Sequence, residues 1–368
     1  MKVNIIHNIY ISFNERNKCM KKEKISRIMN ITFILLVFIG LPIYMVTVEG
    51  IDDIIRVLKS VNYWWVIIGI ILTVIYWLLE GLCFYIVTKK IYKNQKFISS
   101  FRLAMIGRLF NNITPFSCGD QPAQLITMKQ EGKSLSSGVS ILLTRFIVYQ
   151  AVLIIYTLVV IILKYSYFKQ LLNSFMYLAI IGFIINMLVI IFLIALIINE
   201  KIVYNIIKSV IILLGKFKII KNVDESLDNI KVTISDFREQ LNIMKKEKLM
   251  IFKIALYTAI EITVLYSITY VVYRAFGQNA MDFLTVLSAQ ALLTLVTVYM
   301  PTPGAGVAAE GGFYIMFKTF FVHNTIDIAI LFWRMYTFYL PIIVGFIFLM
   351  YKPKIILEEK PHEEIIVE

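Results

Sequence analysis

Six mainly apolar stretches, each about 20 residues or longer, divide this chain and constrain its fold more than any other feature. A helix of that length crosses the hydrocarbon layer of a bilayer and satisfies its own backbone hydrogen bonds. The stretches are 28–47, 63–88, 135–164, 175–198, 249–276 and 323–350. Hydrophobic residues make up 59% of the sequence and charged residues only 17%, which excludes an ordinary soluble domain. The sequence therefore predicts an all-α polytopic membrane protein with about six spanning helices.

The basic residues between these stretches predict the orientation of the chain. Seven, four, ten and three lysines and arginines lie, in that order, in segments 1–27, 89–97, 199–248 and 351–368. Two, one and none lie in segments 48–62, 165–174 and 277–281. The positive-inside rule assigns the first group to the cytoplasm. We therefore expect a multi-pass protein of a bacterial plasma membrane with cytoplasmic N- and C-termini, and we interpret the net charge of +13 as a topology signal rather than as nucleic-acid binding.

Two breaks rich in proline and glycine interrupt further apolar segments. Residues 111–122 read NNITPFSCGDQP, and residues 299–310 read YMPTPGAGVAAE. Irregular backbone at membrane depth is tolerated only where it is buried in protein or lines a cavity. The charge pattern requires 98–134 to begin and end on the cytoplasmic side and 282–322 to begin and end outside. Each segment is therefore predicted to be a re-entrant hairpin that is broken at its tip.

The order span, hairpin, span occurs twice, in units 63–164 and 249–350, with opposite predicted orientation. Pro115 precedes Arg145 by 30 residues, and Pro303 precedes Arg334 by 31. This predicts an inverted-topology repeat, an arrangement that places transporter sites near mid-membrane; chance similarity in an apolar chain is the alternative. We expect one transmembrane domain, 28–350, between a basic cytoplasmic segment 1–27 and a cytoplasmic tail 351–368.

Residues in and around the breaks are the candidate substrate site. Helix N-termini and arginine side chains bind anions, and ionisable residues within spans are functional candidates by default. Short helices are expected to begin after Pro122 and near Val307. The candidates are Arg108, Asn112, Thr114, Pro115, Gly119, Asp120, Arg145, Pro303, Gly304, Gly306, Glu310 and Arg334. Glu80 and Glu261 are candidates for coupling transport to an ion or proton, or for pairing with an arginine. The alternative for all these ionisable residues is a buried Arg–Glu pair that only fixes the helix register.

Two further predictions concern helix faces and ends. Arg334, Thr337, Pro341 and Gly345 are expected on one face of the last helix, suited to lining a cavity. Arg102 and Arg274 lie near predicted helix ends, where their side chains can extend to the lipid headgroups. In the cytoplasmic helical segment 199–248, apolar residues at heptad spacing suggest either a helix packed on its own protein or a homo-oligomer contact.

No catalytic residue, metal site or cofactor is predicted. The three cysteines and three histidines are scattered and lack the spacing of metal ligands or disulfides. A motif for nucleotide binding or for a catalytic nucleophile is also missing from the sequence.

The breaks and arginines resemble the flippase-like membrane region of the lysylphosphatidylglycerol synthase family. The matching pattern is Arg108, Asn112, Thr114-Pro115, Gly119, Pro122, Arg145, Pro301 or Pro303-Gly304-x-Gly306, Glu310 and Arg334. The resemblance covers roughly residues 28–350, with Asp120 standing where the family pattern usually has glycine. It implies a protein that moves a lipid between leaflets. The family's cytosolic aminoacyl-transferase domain is not expected in the 18 residues after the last span.

The leading hypothesis is a flippase for an anionic, aminoacylated or polyprenyl-phosphate-linked lipid. A phosphatidylglycerol lysyltransferase-type enzyme, or its membrane accessory subunit, is a second hypothesis, although the sequence favours a protein that is not an enzyme. A secondary transporter for a small solute or ion is a third, because it would share the repeat.

Overall fold

The computed structural model describes residues 59–171, 180–189, 245–297, 306–321 and 325–351, with isolated positions at 55, 191, 204, 205, 208, 209 and 212. The side chains of Pro115, 165–171 and 306–307 lie outside that description. So do the predicted span 28–47, the segments 1–27 and 352–368, most of 199–248, and Pro301, Pro303 and Gly304. Contacts divide the chain into Met1–Ser60 and Val61–Glu368, and the fold below belongs to the second unit.

The described residues form helices joined by turns. In chain order they are α1 (Tyr63–Ile91), α2 (Phe97–Ile113), α3 (Asp120–Gln130), α4 (Leu135–Leu171), α5 (Ile180–Val189), α6 (Lys248–Ala275), α7 (Phe283–Thr297), α8 (Gly306–Phe317) and α9 (Ile326–Met350). A bend at Lys164 interrupts α4, and a π-helical turn, Met335–Tyr339, interrupts α9. The all-α fold class is confirmed.

Four described helices are long and apolar enough to cross a membrane: Tyr63–Ile91, Leu135–Lys164, Lys248–Ala275 and Ile326–Met350. They coincide with four of the predicted spans. Of the predicted span 175–198, the structure describes mainly the shorter apolar helix α5. Residues at the ends of α1 suit their positions, because Asn62 accepts a hydrogen bond from the N–H of Trp64 and Lys89 and Lys90 lie in the last turn.

Helices α2 and α3 fold back on each other as a hairpin. The Gln124 side chain, on α3, packs against Gly107 and donates to the carbonyl of Leu103, both on α2. At the base of the hairpin, Arg102 Nη1 lies 3.0 Å from Glu131 Oε1. The predicted hairpin 98–134 therefore has two antiparallel helical arms, although its relation to the bilayer remains a prediction.

Arg102 does not extend to the surface, as its position near a helix end suggested. Its side chain is buried, and its Nε donates to the carbonyls of Phe348 and Tyr351 at 3.1 Å each. These carbonyls end α9 and lack partners within that helix. Arg102 therefore fastens the base of the first hairpin to the end of the last helix.

Helices α7 and α8 form the second hairpin, whose connection 298–305 lies outside the described residues. A Cβ atom added to Gly312 on α8 would meet the Leu293 side chain of α7 at 2.6 Å. The arms therefore lie in close contact. Of helix α8 the structure describes Gly306–Phe317, a range that includes the start expected near Val307.

Helices α1 and α6 pack along each other in opposite directions. The N–H of Asn62, before α1, donates to the carbonyl of Ala275 at the end of α6, and Lys90 at the other end of α1 pairs with Glu247. In each repeat unit, 63–164 and 249–350, the first arm of the hairpin packs on the first helix of its own unit and on the last helix of the other. Helix α2 packs on α1 and α9, and α7 packs on α6 and α4. Equivalent helices thus have equivalent neighbours.

Candidate functional site

Arg145 and Glu261 form a buried ion pair between α4 and α6. Arg145 Nη2 lies 2.5 Å from Glu261 Oε2, and Nη1 donates to Thr258 Oγ1 at 3.1 Å. Thr258 and Glu261 are three residues apart, so they share one face of α6. The Glu261 side chain is fully buried and that of Arg145 is 7% exposed. Sequence reasoning selected the two charges but missed Thr258.

Arg108 on α2 connects this pair to a second acid, Glu80 on α1. Arg108 Nε donates to Glu80 Oε2 at 2.6 Å, while its Nη2 lies 3.8 Å from Glu261 Oε1. The order Glu80, Arg108, Glu261, Arg145 therefore alternates in charge across α1, α2, α6 and α4. We call these residues the four-charge cluster. Its formal charge is zero, since two arginines face two glutamates.

Aromatic rings cover the guanidinium groups of the four-charge cluster. The Arg108 guanidinium lies 4.7 Å from the centre of the Tyr76 ring, and that of Arg145 lies 5.2 Å from the Tyr149 ring. Such contacts stabilise a cation most where water is excluded. Three buried polar atoms here make no hydrogen bond within the described part of the chain: the Tyr76 hydroxyl, Arg145 Nε and Glu261 Oε1. The cluster therefore retains unused hydrogen-bonding capacity.

Arg334 pairs with Glu310 rather than joining the four-charge cluster. Arg334 Nε donates to Glu310 Oε1 at 3.2 Å, from α9 to α8. The guanidinium also lies 4.9 Å from the Trp333 ring and 5.4 Å from the Phe338 ring. The Glu310 side chain is 24% exposed, whereas that of Arg334 is 5% exposed. This pair is thus more accessible than Arg145–Glu261 on its acidic side.

The π-helical turn that follows Arg334 changes the predicted face of α9. In a regular α-helix, the N–H of residue 341 would donate to the carbonyl of Thr337, but proline has no N–H. The turn instead contains a bond from the N–H of Leu340 to the carbonyl of Met335, five residues earlier. Arg334 faces Glu310 of α8, whereas Gly345 contacts Met105 and Leu109 of α2. The prediction of one shared face assumed a regular helix, whereas the π-helical turn changes the register between Arg334 and Gly345.

Asn112 on α2 lies against this turn. Its Nδ2 donates to the carbonyl of Phe338 at 3.2 Å and lies 3.5 Å from that of Thr337. The Asn112 side chain therefore supplies a donor where Pro341 removes one.

The first break is held by a short network of hydrogen bonds. Thr114 Oγ1 donates to the carbonyl of Phe110 at 2.6 Å and accepts from the N–H of Gly119 at 2.9 Å. Phe116 and Ser117 have φ values of 57° and 52°, in the left-handed region that side chains disfavour. The break is a strained turn rather than a flexible link.

Helix α3 begins at Asp120, not after Pro122 as expected. The Asp120 carboxylate therefore lies in the first helical turn, where it interacts favourably with the positive end of the helix dipole. An anionic ligand at this N-terminus would have to compete with that carboxylate.

The structure thus brings Glu80, Arg108, Arg145 and Glu261 together and pairs Arg334 with Glu310. Asn112 contacts the turn beside Arg334, while Thr114, Gly119 and Asp120 shape the first break and Gly306 lies in α8. Pro303 and Gly304 lie outside the described residues, as does the side chain of Pro115.

Tyr76 was missed because an aromatic residue in an apolar helix gives no distinctive signal. Among the described residues, no three His, Cys, Asp or Glu side chains are arranged to hold a metal ion.

The model of the family described as the lysylphosphatidylglycerol synthase TM region matches residues 31–345. The chain belongs to this family. The match covers almost the same residues as the resemblance predicted from the breaks and arginines, which is confirmed. No curated protein matches the sequence. Family membership and four helices able to span a bilayer identify a multi-pass membrane protein of a family related to lipid modification or transport.

Proposed function

We propose that this protein moves a phosphate-bearing lipid between the leaflets of the bacterial plasma membrane. Candidate substrates are anionic phospholipids, aminoacylated phospholipids and polyprenyl-phosphate-linked lipids. The family description favours a phosphatidylglycerol derivative. Both termini face the cytoplasm in this proposal, as the distribution of basic residues predicts.

The observation that carries the proposal is the four-charge cluster. An ionisable residue at the centre of a bilayer costs about 2.5–3.5 kcal/mol on insertion scales, so four of them in contact require a reason. They come from α1, α2, α4 and α6, and hence from both repeat units. A cluster between repeats is where secondary transporters bind substrate.

The packing of the helices supports an inverted-topology repeat. The first helices of the units, α1 and α6, run in opposite directions, and each hairpin packs on the last helix of the other unit. The two units would then present their hairpins to opposite leaflets. Movement of one hairpin at a time would open the site to one leaflet at a time.

The ion pairs also define how a phosphate would bind. Both arginines of the four-charge cluster already face carboxylates. A phosphate that binds one of them through two N–H groups must therefore displace a carboxylate. Arg145 Nε, which has no hydrogen-bond partner within the described residues, is the donor available first. An arginine can bind phosphate through two parallel N–H groups, which favours this exchange over binding of a neutral solute.

Leaflet-specific quenching tests the proposal. Purified protein is reconstituted into vesicles with fluorescently labelled phosphatidylglycerol, and a membrane-impermeant reductant destroys the outer-leaflet label. Transport exposes the inner-leaflet label as well, so the quenched fraction rises above that of protein-free vesicles. Labelled phosphatidylcholine, whose headgroup has no net charge, is the comparison that tests the effect of headgroup charge.

The matched variants are Arg145→Ala and Lys90→Ala. Arg145→Ala should abolish transport because it removes the proposed phosphate donor. Lys90→Ala should not, because Lys90 makes an exposed pair with Glu247 at the end of α1. Quenching by the wild type that equals protein-free vesicles would contradict the function, and transport by Arg145→Ala at the wild-type rate would contradict the site.

A further inference from the structure

We propose that Asn112 is a positioning residue for Arg334: by holding the π-helical turn of α9, it sets the direction in which Arg334 points. This inference rests on the proposed function for its transport readout. Sequence reasoning placed Asn112 among the ligand contacts. In the structure Asn112 is only 6% exposed, and its side-chain amide donates to a main-chain carbonyl of α9.

The first step of the argument is the missing donor. Pro341 lies in the interior of a long helix, where proline removes one hydrogen bond and clashes with the preceding turn. The clash is relieved when one extra residue enters that turn, as in Met335–Tyr339. The carbonyls of Thr337 and Phe338 then face the Asn112 amide, at 3.5 and 3.2 Å.

The second step is geometrical. One residue of an α-helix corresponds to a rotation of about 100°. The extra residue therefore rotates the first part of α9, Ile326–Arg334, by that angle relative to Leu340–Met350, the part of α9 that packs on α2. Arg334 is the last residue before the turn, and with this rotation it meets Glu310. Loss of the π-helical turn would rotate Arg334 away from Glu310.

The third step connects the two halves of the molecule. Asn112 lies in the last turn of α2, next to the strained break at Phe116 and Ser117. Tyr336, within the π-helical turn, donates to the carbonyl of Val66 on α1 at 3.0 Å. The turn therefore contacts both α1 and the tip of the first hairpin. A movement of that hairpin would withdraw the Asn112 donor and change the direction of Arg334.

A spectroscopic experiment tests the positioning role without any assay of function. The chain has four tryptophans, and Trp333 is next to Arg334, so Trp64, Trp65 and Trp77 are replaced by Phe to isolate its emission. In this background, Asn112→Ala and Pro341→Ala should each shift the Trp333 emission. Asn111→Ala is the matched control, because the Asn111 side chain donates to Asn112 Oδ1 and, among the described residues, makes no hydrogen bond with the π-helical turn. An Asn112→Ala spectrum identical to that of Asn111→Ala would overturn the proposal.

A transport experiment separates positioning from simple stabilisation. Asn112→Ala should lower both the melting temperature and the transport of labelled phosphatidylglycerol. Because Arg334 is a candidate substrate residue, its displacement should lower transport by about tenfold or more. Adding Pro341→Ala restores a backbone donor, so the double variant should regain the melting temperature but not transport. Recovery of transport together with stability would overturn the positioning role. If the wild type moves no labelled lipid, the proposed function fails, while the Trp333 spectra still decide the role of Asn112.

Discussion

Arg145 and Arg334 stand at matching places in the two units, yet their surroundings differ. Arg145 lies in a regular stretch of α4, before the bend at Lys164, and bonds to Glu261 and Thr258 on α6, the first helix of the other repeat unit. Arg334 precedes a π-helical turn and bonds to Glu310 on α8, in the hairpin of its own unit. Strict symmetry would instead pair Arg334 with Glu80 on α1.

The reason for the difference lies in the first arms of the hairpins. Arg108 lies seven residues before Pro115 and takes Glu80 as its partner. The residue seven before Pro303 is Val296, which offers no charge. Glu80 therefore pairs with Arg108, and Arg334 pairs with a different acid, Glu310. The two repeat units thus contribute one deeply buried four-charge cluster and one more accessible pair, Arg334–Glu310.

The largest expected effect comes from Glu261→Ala. This change leaves Arg145 without its carboxylate and removes the second acid facing Arg108, and breaking a buried ion pair costs about 3–5 kcal/mol. Thermal unfolding in detergent should show a large drop in melting temperature. Glu247→Ala is the control, because the Lys90–Glu247 pair is exposed and should be worth at most about 1 kcal/mol. Equal melting temperatures for the two variants would contradict a deep cluster.

Glu310→Ala should have a smaller effect. Its side chain is 24% exposed and accepts a 3.2 Å hydrogen bond from Arg334, so its loss should cost about 1.5–3 kcal/mol. The same unfolding experiment measures this cost directly against Glu261→Ala. A greater loss of stability for Glu310→Ala would reverse the proposed order of the two sites.

The smallest effect concerns Asp282, in the turn before α7. Partial burial raises the pKa of this carboxyl, but hydrogen bonds from the Thr285 hydroxyl and N–H and from the Lys164 ammonium lower it to about 2. Because the pKa is lower in the folded state, the stabilisation is complete above the unfolded pKa and is lost as the pH falls toward 2. Asp282→Asn should melt slightly below the wild type at neutral pH, and the two melting curves should converge in acid. A difference that persists unchanged at low pH would show that the charge of Asp282 is not responsible.

The spans and hairpins were predictable because they depend on local patterns. Long apolar runs gave α1, α6, α9 and the part of α4 before its bend, Leu135–Lys164, to within a few residues, and the breaks separated the arms of both hairpins. Among the ionisable candidates, Glu80, Arg145, Glu261 and Arg334 are buried, whereas Arg108, Asp120 and Glu310 are partly exposed. Burial in a span is a property that sequence composition can indicate.

The pairing of these charges could not be predicted in the same way. Which acid meets Arg108 depends on how α1, α2 and α6 rotate against one another, and no local pattern encodes that rotation. The π-helical turn before Pro341 was not predicted, and the side chain that meets its carbonyls, Asn112, lies more than 200 residues away in sequence. Arg102 was misassigned for a similar reason, because its partners at the end of α9 are distant in the chain.

The zero net charge of the four-charge cluster affects how a ligand can reach it. Opposite charges a few ångströms apart cancel at a distance, so the cluster produces little electric potential beyond its immediate neighbours. Electrostatic steering, which accelerates the encounter of charged partners and weakens with ionic strength, therefore has little to act upon. For the proposed transport, a lipid would have to arrive by lateral diffusion and be recognised only on contact, so its rate of entry should differ little between low and high salt.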